Sequence, residues 1–338
     1  MSHPTPLKFL MPGWFAIVMG LSGLALAWHR AQGLLGDLAL GVALVAGAAA
    51  TLVFGVLLVA SVLRWQRYPA ALAEDLRHPV RHAFIATVPV SLLLLATVGL
   101  ALGGGGGAAV LNALWWLGSL GQLAATVWVL GRWLAPAPAA APAGGLWPAV
   151  TPVLLIPVVG NVVAPLAGVA LGHDLWALAQ FGLGAFLWPV VIVLVMVRRI
   201  AHGPLPDRVL PAWFITLAPP AVIGVVAAQM GAPRAVVLGL WGTGLFFLLW
   251  LLPLVRRIAQ QPFAVPFWAL SFPLAAFTVL TLRVAELTLS GGFRTLGVLM
   301  LALTSVVIVW LGFATVRGLR EGSLLAPEPV ASITPVTP

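Results

Sequence analysis

The sequence predicts an all-α integral membrane protein of ten transmembrane helices, arranged as five helical hairpins. Three observations point there. Of 338 residues, 62% are hydrophobic and only 7% charged, with a mean hydropathy of +1.10, whereas a soluble domain carries about 25% charge. The apolar residues fall into ten runs, each near the ~20 residues that a bilayer-crossing helix needs. A short motif ending in Pro or Gly recurs on alternate runs.

The runs cover approximately 9–28, 38–63, 82–102, 110–134, 147–171, 175–197, 209–230, 234–255, 264–282 and 295–316, and nothing between them is long enough to fold separately. One transmembrane domain over 1–320 is therefore expected, with a disordered cytoplasmic tail over 321–338. The connections read as punctuation: GGGGG at 103–107 and PAPAAAPAGG at 136–145. Ala25 and Ala27 make a small-x-small site, but the first run is longer than a secretory signal core and no soluble domain follows, so no cleavage is expected.

Basic residues set the orientation. Lys8, Arg64, Arg67, Arg77, Arg81, Arg132, Arg198, Arg199, Arg208, Arg256, Arg257, Arg317 and Arg320, 13 of the 17, fall on the side holding both termini. The positive-inside rule places that side in the cytoplasm, and a multi-pass protein of the cell's inner (plasma) membrane is the expectation. The net charge of +9 therefore serves topology and lipid headgroups rather than nucleic acid. Trp65, Trp133, Trp147, Trp213 and Trp250 toward one face, with Trp28, Trp115 and Trp176 toward the other, suit aromatic belts or packing between helices.

Prolines divide the runs into two kinds. Odd-numbered runs carry interior prolines at Pro89, Pro157, Pro165, Pro219, Pro220 and Pro273, while the second, fourth and tenth carry none; Pro189 in the sixth is the main exception, and Pro253 nears the end of the eighth. Aligned on these breaks, the odd runs read FAIVMG (15–20), FIATVP (84–89), PVLLIP (152–157), FITLAP (214–219) and WALSFP (268–273). This is a weak internal repeat. An interior proline removes a hydrogen bond and kinks a helix, and irregular backbone at membrane depth is tolerated where it is buried in protein or lines a watered cavity. Kinked odd helices are thus expected to form an inner ring around a central path.

The residues that carry these breaks resemble the tellurite-resistance and dicarboxylate transporter family, which includes the plant guard-cell slow anion channels. The resemblance rests on PGWFAIVMGLSGLALAW in the first run, HPVRHAFIATVP leading into the third, WWLGSLGQL in the fourth, VVGNVVAPL in the fifth and WALSFPLAAF in the ninth. It implies ten helices in five hairpins with quasi-fivefold symmetry, kinked inner helices around one pore per protomer, and a homotrimer. It also implies a phenylalanine gate in the ninth helix, matched by Phe272 in Ser271-Phe272-Pro273, and a pore entrance at Arg81 of HPVR. Gly20, Pro89, Pro157, Asn161, Pro219 and Pro273 are the residues expected to line or kink the pore. Two positions depart from the pattern. Val162 stands where relatives often carry a second aromatic, which leaves occlusion to Phe272, and Val18-Met19-Gly20 stands where some carry a proline, which leaves flexibility to Gly20.

The remaining chemistry is bounded by what the spans lack. Asp37, Glu74, Asp75, Asp174, Asp207, Glu286, Glu321 and Glu328 all fall at helix ends, in loops or in the tail, so no proton relay is expected inside the spans. With no Cys there is no thiol chemistry. No nucleophile–base or carboxylate pair is placed for catalysis, and no cofactor or metal is expected. Glu74, His78 and His82 recur at helical spacing, but Pro79 interrupts them, and a solvated loop is the expectation. His173-Asp174 is expected to cap the sixth helix, and the glycine run has no following GK[ST] to cradle a phosphate. Two functions stay open: a passive channel or uniporter for small inorganic or organic anions, and a secondary carrier for dicarboxylate, tellurite or sulfite.

Overall fold

Proline placement decides how the helices are built. The protein's structure, a computed structural model, describes residues 6–103, 107–134 and 145–326. The centre of the glycine run, the connector over 136–144 and the tail beyond 326 lie outside the described residues. Among the described residues there is no strand, and nine helices are long and apolar enough to cross a membrane. They are α1 (Pro12–Arg30), α2 (Asp37–Arg67), α3 (Arg81–Leu102), α4 (Ala108–Gly131), α6 (Asp174–Ala201), α7 (Asp207–Gln229), α8 (Arg234–Ala259), α9 (Val265–Thr288) and α10 (Gly291–Arg320), with α5 (Pro152–Gly168) shorter.

The fifth run differs from expectation. Its helix is not continuous but a chain of short pieces, Pro152–Leu154, Leu155–Val159, Gly160–Val163 and Pro165–Gly168, alternating 3-10 and α geometry. Pro152, Pro157 and Pro165 each remove a donor, and the chain reaches across by tightening into 3-10 turns, which rise more per residue.

The other odd helices share a simpler device. Each begins in 3-10 geometry and becomes α part-way: at Ala16 after Pro12–Phe15, at Thr87 after Arg81–Ala86, at Ala218 after Asp207–Leu217, and at Ser271 after Val265–Leu270. Pro89, Pro219 and Pro273 therefore lie in the first turn of an α segment. From sequence they are expected as interior kinks of one helix; the structure puts them where a missing N–H has no α-helical partner to lose. Pro189 and Pro253, by contrast, lie inside unbroken α-helices.

Packing separates two sets. Between 61 and 89% of the residues in the apolar windows of α1, α3, α7 and α9 are buried, against 22 to 39% for α2, α4, α6, α8 and α10. The inner elements contact one another in succession, α1 with α3, α3 with α5, α5 with α7, α7 with α9 and α9 with α1, and each also packs on the helix that follows it. The outer helices expose large apolar side chains such as Leu52, Val59, Phe186, Phe246 and Phe313, as lipid contact requires. Trp65 and Trp250 are exposed among them, whereas Trp115 and Trp213 are buried between helices.

Glycines permit the tightest contact. A Cβ on Gly20 would overlap the Ser271 hydroxyl and lie 2.6 Å from the Ser271 Cβ, and one on Gly23 would lie 2.8 Å from the Ala275 Cβ and 3.3 Å from the Phe272 ring. Three residues apart, the two face α9 together. Gly20 thus serves close approach. Gly20→Ala is expected to lower the unfolding midpoint in detergent by an overpacking cost of about 1–3 kcal/mol. Gly41→Ala in α2, where nothing lies within 4 Å, should leave it unchanged or slightly raised; equal effects would refute the close-packing role.

Candidate functional site

The five inner elements enclose two cavities in line. The first, of ≈ 50 Å³, is lined from their N-terminal halves by residues such as Met11, Met19, Phe84, Leu155, Ile215 and Trp268. The second, of ≈ 220 Å³, is lined from their C-terminal halves, among others by Leu26, Leu94, Leu166, Val222 and Val279. No residue of α2, α4, α6, α8 or α10 lines either. One residue lines both: Phe272, which is buried.

Local sequence explains that position. Ser271 turns its hydroxyl back to donate to the Trp268 carbonyl at 2.6 Å, meeting an acceptor at the 3-10 to α junction. Pro273 follows and lines the first cavity. Gly23 leaves room on α1 for the Phe272 ring. The WALSFP motif therefore places an aromatic residue against both cavities, with the Trp268 carbonyl satisfied from within.

The other expected residues stand behind the path. Gly20, Pro89, Pro157, Asn161 and Pro219 line neither cavity. Asn161 is fully buried: its amide nitrogen donates to Thr126 Oγ1 at 2.8 Å and to the carbonyls of Pro157 and Val158, and its Oδ1 accepts from Gln180 Nε2 at 3.0 Å. Gln122 Nε2 and Thr126 Oγ1 both donate to the Pro157 carbonyl, at 2.7 and 2.6 Å. Ser119 and Gln180 exchange bonds across α4 and α6. These polar groups of WWLGSLGQL and VVGNVVAPL accept and supply the bonds that broken α5 cannot make within itself. Val162 is buried toward Gly184 of α6, not toward the axis.

Arg81 opens α3, at the end of the ring that holds the first cavity, but its guanidinium lines neither space. It binds Asp75 at 2.8 Å and Glu74 at 3.2 Å. Asp75 also holds the buried Arg64 at 2.7 Å, whose Nε donates to the Lys8 carbonyl at 3.0 Å. This network joins the start of the chain, the end of α2, the short helix Pro69–Arg77 and the start of α3. Sequence reading missed it because its partners sit on separate elements and meet only after the chain turns at Tyr68 and Pro69.

The solvated-loop reading of Glu74, His78 and His82 does not hold. His82 is buried with its Nδ1 2.9 Å from the His78 carbonyl. His78 Nδ1 accepts from the backbone N–H groups of Val80 and Arg81, both at 3.1 Å, so a side chain caps the 3-10 start of α3 after Pro79 breaks the helix. Among the described residues no group of His, Asp and Glu is placed to hold a metal. His173 does not cap α6 through its side chain; its ring stacks on Trp115 at 4.8 Å and reaches Asn112.

The second cavity holds polar groups that the sequence did not single out: His29, Arg30, Thr97 and Gln229. They come from the C-terminal ends of α1, α3 and α7, where a run of apolar residues gives no hint of which side faces inward.

Burial, helped by the Arg81 guanidinium, holds the His78 imidazole below the usual histidine range, with Asp75 and Glu74 opposing. A depressed folded value means that the neutral ring stabilises the fold fully above about pH 6.5 and that this contribution is lost as pH falls through the lower folded value. His78→Asn keeps an acceptor for the two N–H groups and does not titrate. Its unfolding midpoint should fall less than the parent's between about pH 7.5 and 5.5; parallel pH curves would refute the assignment.

Comparison with known proteins follows this geometry. Residues 10–316 match the family model described as SLAC1: Voltage-dependent anion channel. The chain is 28% identical over 297 residues to an uncharacterized transporter of Methanocaldococcus jannaschii, covering 80% of this chain and 82% of that one. It is 27% identical over 282 residues to the tellurite resistance protein TehA homolog of Haemophilus influenzae, covering 81% and 80%. Over 273 residues it is 23% identical to the S-type anion channel SLAH2 of Arabidopsis thaliana, covering 79% of this chain and 50% of that one.

Proposed function

We propose that this chain, which belongs to the SLAC1 voltage-dependent anion channel family, conducts small anions passively through the ring of inner helices, with Phe272 as the gate. The observation that carries the reading is that Phe272 alone lines both cavities. The first cavity offers an ion no free hydrogen-bonding side chain, since the Trp268 indole N–H is spent on Thr315, so an anion entering it would lose hydration without compensation. Closing such a path needs only a ring on the axis.

The finer architecture belongs to the same proposal: ten elements in five hairpins with quasi-fivefold symmetry, both termini cytoplasmic in the plasma membrane, and a homotrimer. Successive contacts of the inner elements support the ring, and the 13-to-4 split of basic residues supports the orientation. Arg81, tied to Asp75 and Glu74, positions the mouth of α3 rather than offering a free charge.

Passive flow is favoured over coupling because no described acid lies deep within a span; Glu286 sits near the end of α9 beside Arg283. A second reading, secondary transport of dicarboxylate, tellurite or sulfite, draws on the likeness to the tellurite resistance homologue. In proteoliposomes the anion flux should follow its own electrochemical gradient and ignore an imposed pH step. Uphill uptake driven by protons would favour the carrier.

Phe272→Ala should raise anion conductance well above the parent, and Phe272→Leu should fall between the two. If the ring only packs between helices, truncation instead leaves a cavity, costing about 3–5 kcal/mol in water, and poorer assembly without new current. A well-assembled Phe272→Ala protein with parental conductance would refute the gate.

A further inference from the structure

Of the residues lining the two cavities, Arg30 is the one with a charged side chain. It stands in the last turn of α1, where α3 and α7 also end around the second cavity. Helix C-termini carry partial negative charge, so the backbone alone would repel an anion from this mouth. A guanidinium here reverses the local sign.

Its hydrogen bonding is incomplete in a particular way. Nη1 reaches Glu286 Oε2 at 3.4 Å, a long contact, while the same carboxylate oxygen is held by Arg283 at 2.7 Å. Glu286 is thus chiefly neutralised by Arg283. No acceptor among the described residues meets Arg30 Nε or Nη2, and its side chain is 37% exposed. The edge formed by Nε and Nη2 presents two parallel N–H donors, the fork that a planar oxoanion meets with two oxygens. His29 and Gln229 line the same space, and the Gln229 amide spends one contact, at 3.3 Å, on the Pro165 carbonyl. The volume of ≈ 220 Å³ accommodates a small anion with water.

We infer that Arg30 makes the second cavity a binding station for small planar oxoanions, carboxylate or nitrate, on the far side of Phe272 from the apolar cavity. The inference rests on the anion-path reading and names a residue that discriminates among its substrates. Chloride, a sphere, gains only from the charge; formate or nitrate gains also from the paired donors. Lysine should therefore preserve the first property and lose the second.

Two measurements test it. In reconstituted bilayers, Arg30→Gln should raise the half-saturating concentration of formate about tenfold, with a smaller rise for chloride, and Arg30→Lys should restore chloride but not formate. Because the chain has no cysteine, Ala101→Cys on the cavity wall also gives a unique thiol whose modification needs no current. An anionic methanethiosulfonate should react there faster than a cationic one, the bias should vanish in Arg30→Gln, and formate should slow the reaction more than equimolar chloride does. Unchanged half-saturation and unchanged labelling bias in Arg30→Gln would overturn the inference, as would equal protection by formate and chloride or a thiol that neither reagent reaches. A parent protein that labels as expected but carries no anion current would leave this site standing and refute the conduction reading instead.

Discussion

In hydrocarbon a backbone carbonyl without a partner has no water to turn to, and this constraint organises the molecule. Five elements of the chain break their own helical hydrogen bonding, and the freed carbonyls are met either by a side chain of the same element, as Trp213 by Thr216 and Trp268 by Ser271, or by a neighbour. The Pro157 carbonyl receives Gln122 and Thr126 from α4. The Pro12 carbonyl receives the Thr87 hydroxyl at 2.7 Å, and the Phe15 carbonyl receives Ser91, both from α3. The 3-10 segments are therefore stable only inside a sleeve of other helices. That is a physical reason for the inner elements to be the buried ones and for the outer ones to be continuous α-helix.

The same arrangement explains why a line of small residues faces α9. The inner elements pack on one another in succession, and α1 and α9 approach until Gly20 meets Ser271 and Gly23 meets Ala275. The Phe272 position then follows from packing. Ser271 before it is buried against α1 and Pro273 after it faces the first cavity, which leaves the axis for the ring. Structural need and the proposed gate thus draw on one motif.

Much of this was legible in the sequence, because a bilayer makes hydropathy a direct reading of architecture. The apolar runs, the contrast between proline-bearing and proline-free helices, and the family all follow from residues in order along the chain. What the sequence concealed depends on which face of an apolar helix turns inward. Asn161 is expected along the pore from sequence, and only its contacts with Thr126 and Gln180 show it bonded between helices instead. The buried Arg64–Asp75 pair joins the end of α2 to the following short helix. The break in α5 was visible as prolines, but its division into short pieces depends on partners supplied by α4.

The geometry also limits how the proposed gate can move. The ring rests on the Gly23 face of α1, where even one added carbon would press on it, so displacement toward that helix is closed. Ser271 and Pro273 fix the backbone on either side. The empty space lies along the axis, ≈ 50 Å³ on one side and ≈ 220 Å³ on the other. Rotation of the side chain about its own bonds toward the larger, more polar cavity is the motion for which this arrangement leaves space. Such a rotation changes no buried charge, since the one charged side chain that lines either cavity, Arg30, is part-exposed. The proposed gate would then depend on the packing between α1 and α9, where Gly23 meets Phe272.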